Sequence, residues 1–284
     1  MQRVDTDSLT TTQASKIIVE FKHIDKSFTN ENKIIPILKD FNLRIMRGDR
    51  IGILGKNGSG KSTFIKLLVG EIEPDNGRIF RGKTIDIAYF DQSRIALNPG
   101  KTLWDTLCPD GGDQVFLGGT KDRSIHVCGY LKDFMFDPKI ARSRVSTLSG
   151  GQQNRLMLAK ILANPGNVLI LDEPTNDLDM DTLDMLQELL SDYKGTLLIV
   201  SHDRDFLDRT VTEVLAFEGG GIVEGYIGGY SDYAARKKVI APKKSSEKKS
   251  PEKIEIKIPE KKILSGKERH ELEKPPEKIA KLEA

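Results

Sequence analysis

The sequence predicts an α/β fold with a parallel sheet at its centre, a mostly helical insert and a charged C-terminal tail. Short apolar runs alternate with stretches of helical spacing, the pattern of strands joined by crossover helices. One run, residues 50–54 (RIGIL), enters a glycine-rich loop and then a helix-patterned stretch at 62–69. That order reads as strand, loop, helix. From Lys237 onward the composition collapses into Lys, Glu, Ser and Pro.

The elements follow in order. Residues 1–15 are polar, rich in Thr and Ser, and are expected to be a disordered lead-in. Residues 17–21 (IIVEF) and 41–46 read as strands, the second ending at the turn Arg47-Gly48-Asp49. The section 93–164 is punctuated by Pro and Gly, with helices expected near 102–107 and 125–134 and a strong one at 152–162. Residues 168–171 and 196–200 are continuous apolar runs, as buried strands are, and 180–190 between them has helical spacing. Glycines set between Val and Tyr residues at 219–230 suggest short hairpins. No internal repeat is visible.

The chain has 284 residues, enough to bury a sizeable core. Its 44 Lys+Arg nearly balance 42 Asp+Glu, but unevenly. Residues 237–284 hold 15 basic and 9 acidic side chains, which leaves 29 against 33 for the remainder. An acidic-leaning body thus carries a basic tail, half of it charged and without aromatics. Such a tail buries too little apolar surface to fold alone. It reads either as a solvated linker or as a nucleic-acid contact through Lys–phosphate pairs, which would weaken with salt. Without aromatics, it offers no stacking on single-stranded bases.

Cys108 and Cys128 are too few for a disulfide framework and suit free thiols in a reducing cytoplasm. They show no CxxC pattern, and His23, His126 and His270 have no ligand spacing, so a zinc site is not expected. No apolar run approaches the ~20 residues that span a bilayer, and the polar start has no signal-type core. Secreted, collagen-like and membrane-inserted classes are therefore excluded, and a cytoplasmic protein is expected. Trp104, Phe134 and Met157 read as core or helix-face packing.

Three segments carry chemistry. Gly55-Lys56-Asn57-Gly58-Ser59-Gly60-Lys61-Ser62 fits G-x-x-x-x-G-K-[ST] in the setting that pattern needs, an apolar strand before it and a helix after it. Its glycines let the backbone wrap a polyphosphate, and its amides and the helix start face negative charge. Lys61 would reach the β and γ phosphates and Ser62 would offer its hydroxyl to Mg2+. Asp172-Glu173 ends the apolar strand 168–171, which places two acids at the carboxyl edge of the sheet, where open α/β folds bind ligands. Asp172 suits a Mg2+ ligand and Glu173 a group that polarises water. The other reading is a pair of acids capping the next helix. Leu148-Ser149-Gly150-Gly151-Gln152 precedes the strongest helix and is either a second anion site or an ordinary N-cap.

Taken together, residues 55–63, Gln92, 148–152, 171–173, Asp179 and His202 resemble the motif set of the ATP-binding cassette (ABC) nucleotide-binding domain, over about residues 17–236. Leu171-Asp172-Glu173-Pro174-Thr175-Asn176-Asp177-Leu178-Asp179 and Ser201-His202-Asp203-Arg204-Asp205-Phe206-Leu207 resemble the F-type (ABC-F) group of ribosome-linked ATPases. The resemblance implies a P-loop NTPase cassette at 16–236, with a mixed sheet core and a helical subdomain at about 93–165. A charged linker and a truncated, coiled-coil-like tail would follow at 237–284.

It implies ATP and Mg2+ as ligands, with Glu173, His202 and Lys61 in catalysis. Phe28 would stack on adenine. Gly55, Lys56, Asn57, Gly58, Ser59, Gly60, Lys61, Ser62 and Thr63 would hold phosphates from one side, and Ser149, Gly150, Gly151 and Gln152 of another cassette from the other. Ser62, Gln92 and Asp172 would hold the metal, and Asp179 would link the two sites. The implied partners are a second cassette, either another copy or a separate N-terminal half, and the ribosome, RNA or DNA through the tail. A transporter's ATP-binding subunit and a non-hydrolysing fragment are the rival roles. The sequence departs from the F-type pattern in carrying one cassette rather than two, and in a tail that holds Pro275-Pro276 and no long heptad run.

Overall fold

The computed structural model describes residues 16–30, 33–91, 97–119 and 123–240. The expected lead-in at 1–15, Gln92 and the tail beyond 240 lie outside the described residues. The chain runs through β1 (Ile17–Asn30), β2 (Lys33–Met46), β3 (Arg50–Gly55), α1 (Lys61–Val69), β4 (Asn76–Arg81) and β5 (Ile87–Asp91). It continues through α2 (Leu103–Leu107), β6 (Gln114–Phe116), β7 (Ser124–His126), α3 (Val127–Asp133) and α4 (Gly150–Ala163). It then forms β8 (Val168–Asp172), α5 (Met180–Asp192), β9 (Thr196–Val200), α6 (Arg204–Thr210), β10 (Glu213–Gly219), β11 (Ile222–Ile227) and α7 (Tyr230–Ile240).

Among the described residues the strands make a six-stranded sheet, β11-β10-β3-β9-β8-β5, a three-stranded sheet, β2-β1-β4, and the hairpin β6-β7. The six-stranded sheet is parallel from β10 to β5, and β11 joins it antiparallel. Its centre explains the unbroken apolar runs. Leu169, Leu171, Leu197 and Ile199 face one core, with Leu156 of α4, Leu186 and Leu190 of α5 and Phe206 of α6. Val168, Ile170, Leu198 and Val200 face the other, with Phe64, Ile65 and Leu68 of α1 and the three-stranded sheet. A strand buried on both faces needs no polar alternation. Phe64 is fully buried. Its ring meets Phe21, Phe41 and Phe217 at centroid distances of 5.3, 5.8 and 5.7 Å. The first turn of α1 is thereby fixed against both sheets.

Several elements differ from expectation. The helix expected over 125–134 starts at Val127, because His126 caps it by accepting from the Cys128 N–H, and Ile125 belongs to β7 instead. The insert thus contains a strand pair as well as helices. β4 and β5 had no clear signal: β4 is an edge strand with little buried surface, and β5 is five residues long. β1 is longer than its apolar start suggested, because it continues through register shifts between Phe21 and Lys26. The glycines at 219–230 do make a hairpin, turning at Gly220-Gly221 between β10 and β11. Among the described residues no helix is long and apolar enough to cross a membrane.

One irregularity supports a stability prediction. Between Lys22 and Asp25 the β1–β4 register shifts, His23 has φ 52°, and Gly77 of β4 faces it with φ 89°. A Cβ on Gly77 would collide with the His23 carbonyl oxygen. Gly77→Ala therefore adds backbone strain to a clash, and is expected to destabilise by about 1–3 kcal/mol in urea unfolding.

Candidate active site

The site forms where β3, β8 and β9 end at the same edge of the sheet. After β3 the chain turns through Gly58 (φ 77°) and Gly60 (φ 112°) into α1. A Cβ on Gly60 would stand 2.5 Å from Ile37 Cγ2, so the loop lies against β2 as closely as a glycine allows. α1 begins without a side-chain cap, which leaves its first amides to an outside acceptor. Lys61 folds back over the loop, Nζ donating to the carbonyls of Gly55 (2.7 Å) and Lys56 (3.3 Å). Burial lowers its pKa, against the pull of Glu173 and Asp172.

Asp172 and Glu173 close the opposite wall. Together with Ile37, Asn57, Gly58, Gly60, Lys61, Ser62 and Thr63 they line a cleft of about 390 Å³. Burial raises the pKa of Asp172 and neighbouring Asp91 raises it further, against a Tyr89 hydroxyl that donates to Oδ2 at 3.3 Å. Glu173 sits in the left-handed region at φ 51°. Its backbone is tied to β9 by the Glu173 N–H to Val200 carbonyl bond, 2.8 Å, and Thr175 Oγ1 meets Ser201 Oγ at 3.2 Å. These ties bring His202 Nε2 to 3.3 Å from Glu173 Oε1. Burial nevertheless dominates and raises the Glu173 pKa, with His202 opposing it.

The cleft fits a magnesium polyphosphate. Ser59 Oγ is buried and without a partner among the described residues, and the helix start is uncapped. Ser62 and Asp172 present hard oxygen donors. Among the described residues no group of three or more His, Cys, Asp or Glu could hold a metal alone. A cation held by one or two protein oxygens and by substrate phosphates is the usual arrangement for Mg2+.

The remaining expected site residues lie elsewhere. Residues 149–152 do not line the cleft. Ser149 caps α4 in a reciprocal box: its Oγ accepts from the Gln152 N–H (3.4 Å), and Gln152 Oε1 accepts from the Ser149 N–H (2.9 Å). Ser149 and Gly150 are exposed. The start of α4 packs on the loop after β8, where a Cβ on Gly151 would be 3.2 Å from the Asp177 carbonyl. Asp179 caps α5, accepting from the Thr182 N–H at 2.9 Å. Phe28 is 47% exposed on β1, with Lys26 Nζ 5.6 Å from its ring centre, so it is a surface ring and not a core one. Ser59 is one of the residues expected to hold phosphates, whereas Tyr89 is not singled out by the sequence. Tyr89 stands three residues before Gln92, but its reach to Asp172 depends on the β5–β8 pairing.

The raised carboxyl of Asp172 has a testable consequence. A folded pKa above the unfolded one adds stability below the unfolded value, and that stability is lost as pH rises through the folded value. Ionising this part-buried carboxyl therefore costs the ligand-free chain stability as pH rises. Asp172→Asn is expected to raise the melting temperature at neutral pH and to lose that advantage in acid.

A phosphate loop, an acidic strand end and an outward-facing Ser149 segment on this mixed sheet define an ATP-binding cassette. Residues 38–176 match the family model described as ABC transporter, and the chain carries a cassette of that family. Its likeness is to the F-type members. It is 45% identical to the ATP-binding protein Uup of Haemophilus influenzae, over 96% of this chain and 43% of that protein. It is 44% identical to Uup of Escherichia coli, over 96% of this chain and 42% of that protein. The energy-dependent translational throttle protein EttA of Mycobacterium tuberculosis is 39% identical over 72% of this chain and 35% of that protein. The chain thus spans less than half the length of these relatives. Among solved structures, the dimeric ATP-binding cassette MJ0796 bound to ADP and Pi superposes with a TM-score of 0.56. It is 25% identical and covers 74% of this chain and 98% of that one.

Proposed function

We propose that this chain binds ATP with Mg2+ in the cleft between residues 55–63 and 172–173 and hydrolyses it in a site completed by a second cassette. Closing and reopening of the pair would act on the ribosome or on nucleic acid. The observation that carries this reading is the separation of residues 149–152 from the cleft within one chain. The cleft is lined by the phosphate loop, while Ser149 and Gly150 are exposed and turned to a different neighbourhood. A second copy, or a separate first cassette, would supply the missing side.

In that arrangement the amides of residues 58–63 and Lys61 Nζ cradle the phosphates, and Phe28 stacks on adenine. Ser62 and Asp172 hold Mg2+, with Gln92 as the further ligand implied by the resemblance. Mg2+, when bound, offsets negative charge on the phosphate oxygens. Glu173 Oε1 accepts a proton from the attacking water, and His202 and the second cassette's Ser149 donate to the γ-phosphate oxygens. Asp179 couples one site to the other.

The test measures phosphate release by the purified chain with and without Mg2+, and its elution volume with ATP when Glu173 is Gln. Release that needs Mg2+, and a shift to dimer with ATP, are expected. No release in either the chain alone or the chain mixed with a first cassette would overturn the reading. Co-sedimentation of the ATP-loaded variant with ribosomes rather than membranes separates it from a transporter role.

A further inference from the structure

The three-stranded sheet carries a second cavity, larger than the nucleotide cleft and remote from the phosphate loop in its lining. It has a volume of about 870 Å³, and its walls include Lys16, Ile17, Arg47, Phe80, Lys83 and Thr84. Ile17, Ile18 and Ile85 give it apolar wall, and Arg81 and the acid Glu20 line it beside Lys16, Arg47 and Lys83. Phe80 is 48% exposed. The solvent face of β1, β2 and β4 continues the positive charge: Glu20 pairs across to Arg44 and to Phe80, and Lys22 to Arg78. Glu20 is the acid set among these cations, and it is held by Arg44 (2.5 Å) and Lys22 (3.2 Å). Lys16, Arg47, Arg78 and Lys83 are exposed and have no acidic partner among the described residues.

This concentration is not background. The body outside residues 237–284 has more acids than bases, 33 against 29. Cations gathered on one face of an acidic body mark a polyanion surface. The broad face of a three-stranded sheet does not enter the major groove of a duplex as a helix or a two-stranded ribbon does. A sheet that presents an aromatic ring among cations suits an unstacked base with its phosphates on either side. Lys22 Nζ lies 5.2 Å from the Phe80 ring centre on the sheet face, and the same ring also lines the cavity. The Thr84 hydroxyl in the cavity wall is a partner for a ribose 2′-OH.

We infer that this cavity and sheet face bind single-stranded RNA, a base stacking on Phe80 and the adjoining phosphates meeting Lys16, Arg47 and Lys83. The inference rests on the nucleic-acid part of the proposed function and assigns the contact to the body of the cassette instead of the tail.

The test titrates a labelled oligouridine without terminal phosphates into the full chain over a range of salt. Phe80→Ala is expected to weaken binding by about 5- to 100-fold, and Phe80→Trp to keep it. Arg47→Gln with Lys83→Gln is expected to reduce the slope of log affinity against log salt by about 1.4, two phosphate contacts on a single strand. That pair gives the readout should Phe80→Ala fail to fold. Isotherms and slopes equal to those of the unaltered chain would overturn the inference, as would tighter binding of oligothymidine or of duplex DNA. Unchanged RNA binding in these variants with phosphate release intact removes this face and leaves the proposed function standing. Loss of phosphate release alone bears on the nucleotide cleft and not on the sheet.

Discussion

Glu173→Gln is expected to lower ATP turnover by about 100- to 10,000-fold while leaving nucleotide binding intact, the range for removing a positioned general base. The change is nearly isosteric. Gln keeps the side-chain volume and fits the φ of 51° no worse than Glu, so the backbone ties from residue 173 to Val200 and from Asn176 to residue 173 persist. What disappears is the carboxylate and its contact with His202 at 3.3 Å. Burial already holds this carboxyl's pKa above the ordinary glutamate value, which makes it a better proton acceptor once it is ionised. The sign of the pH dependence follows. Turnover needs the ionised form, so the acid limb of the rate profile should lie above that of an ordinary glutamate and should vanish in the variant. Folding stability moves the other way: the raised pKa adds stability at low pH that is lost as pH rises, so the variant should melt no lower than the parent at neutral pH. Phosphate release across pH, set beside fluorescent-nucleotide titration, measures both. Undiminished turnover would take Glu173 out of the base role.

Much of the candidate site is legible in the sequence because its residues lie close together along the chain. The phosphate loop is one continuous turn between a strand and a helix, and its glycines and Lys61 act within nine residues of each other. The acid pair was legible for the same reason: a run buried on both faces has to end at a sheet edge, and β8 ends at Asp172. What stayed hidden depends on pairing between distant strands. The Tyr89 contact needs β5 beside β8, and the meeting of Glu173 with His202 needs β8 beside β9. β4 was hidden because an exposed edge strand shows little apolar pattern, and with it the cationic sheet face. The two readings of Ser149, cap or phosphate ligand, stayed open because both use the same exposed helix start. The reciprocal box with Gln152 accounts for the cap and leaves the outward position available to another subunit.

That double role leads to the second large effect. Lys61→Ala removes the loop's cation, and Ser149→Arg puts a bulky charge on the exposed start of α4. Each variant alone is expected to lose about 100-fold or more in hydrolysis, the scale of one preorganised donor. Mixed in equal amounts they should recover activity. In a pair of one variant with the other, the intact loop of the Ser149→Arg chain faces the intact Ser149 of the Lys61→Ala chain, while both lesions fall together in the opposite site. With random pairing, about a quarter of all sites are restored in a two-fold assembly. A site contained in one subunit predicts something different at each step: Ser149→Arg stays active, because residues 149–152 do not line the cleft of their own chain, and mixing adds nothing. Rates of the two variants measured singly and together separate the alternatives without any structure of the assembly. The Ser149→Arg melting temperature guards against a trivial loss, since replacing this N-cap costs about 0.5–2 kcal/mol. Recovery on mixing excludes unfolding as the cause, because a chain that had unfolded would have no intact loop to lend.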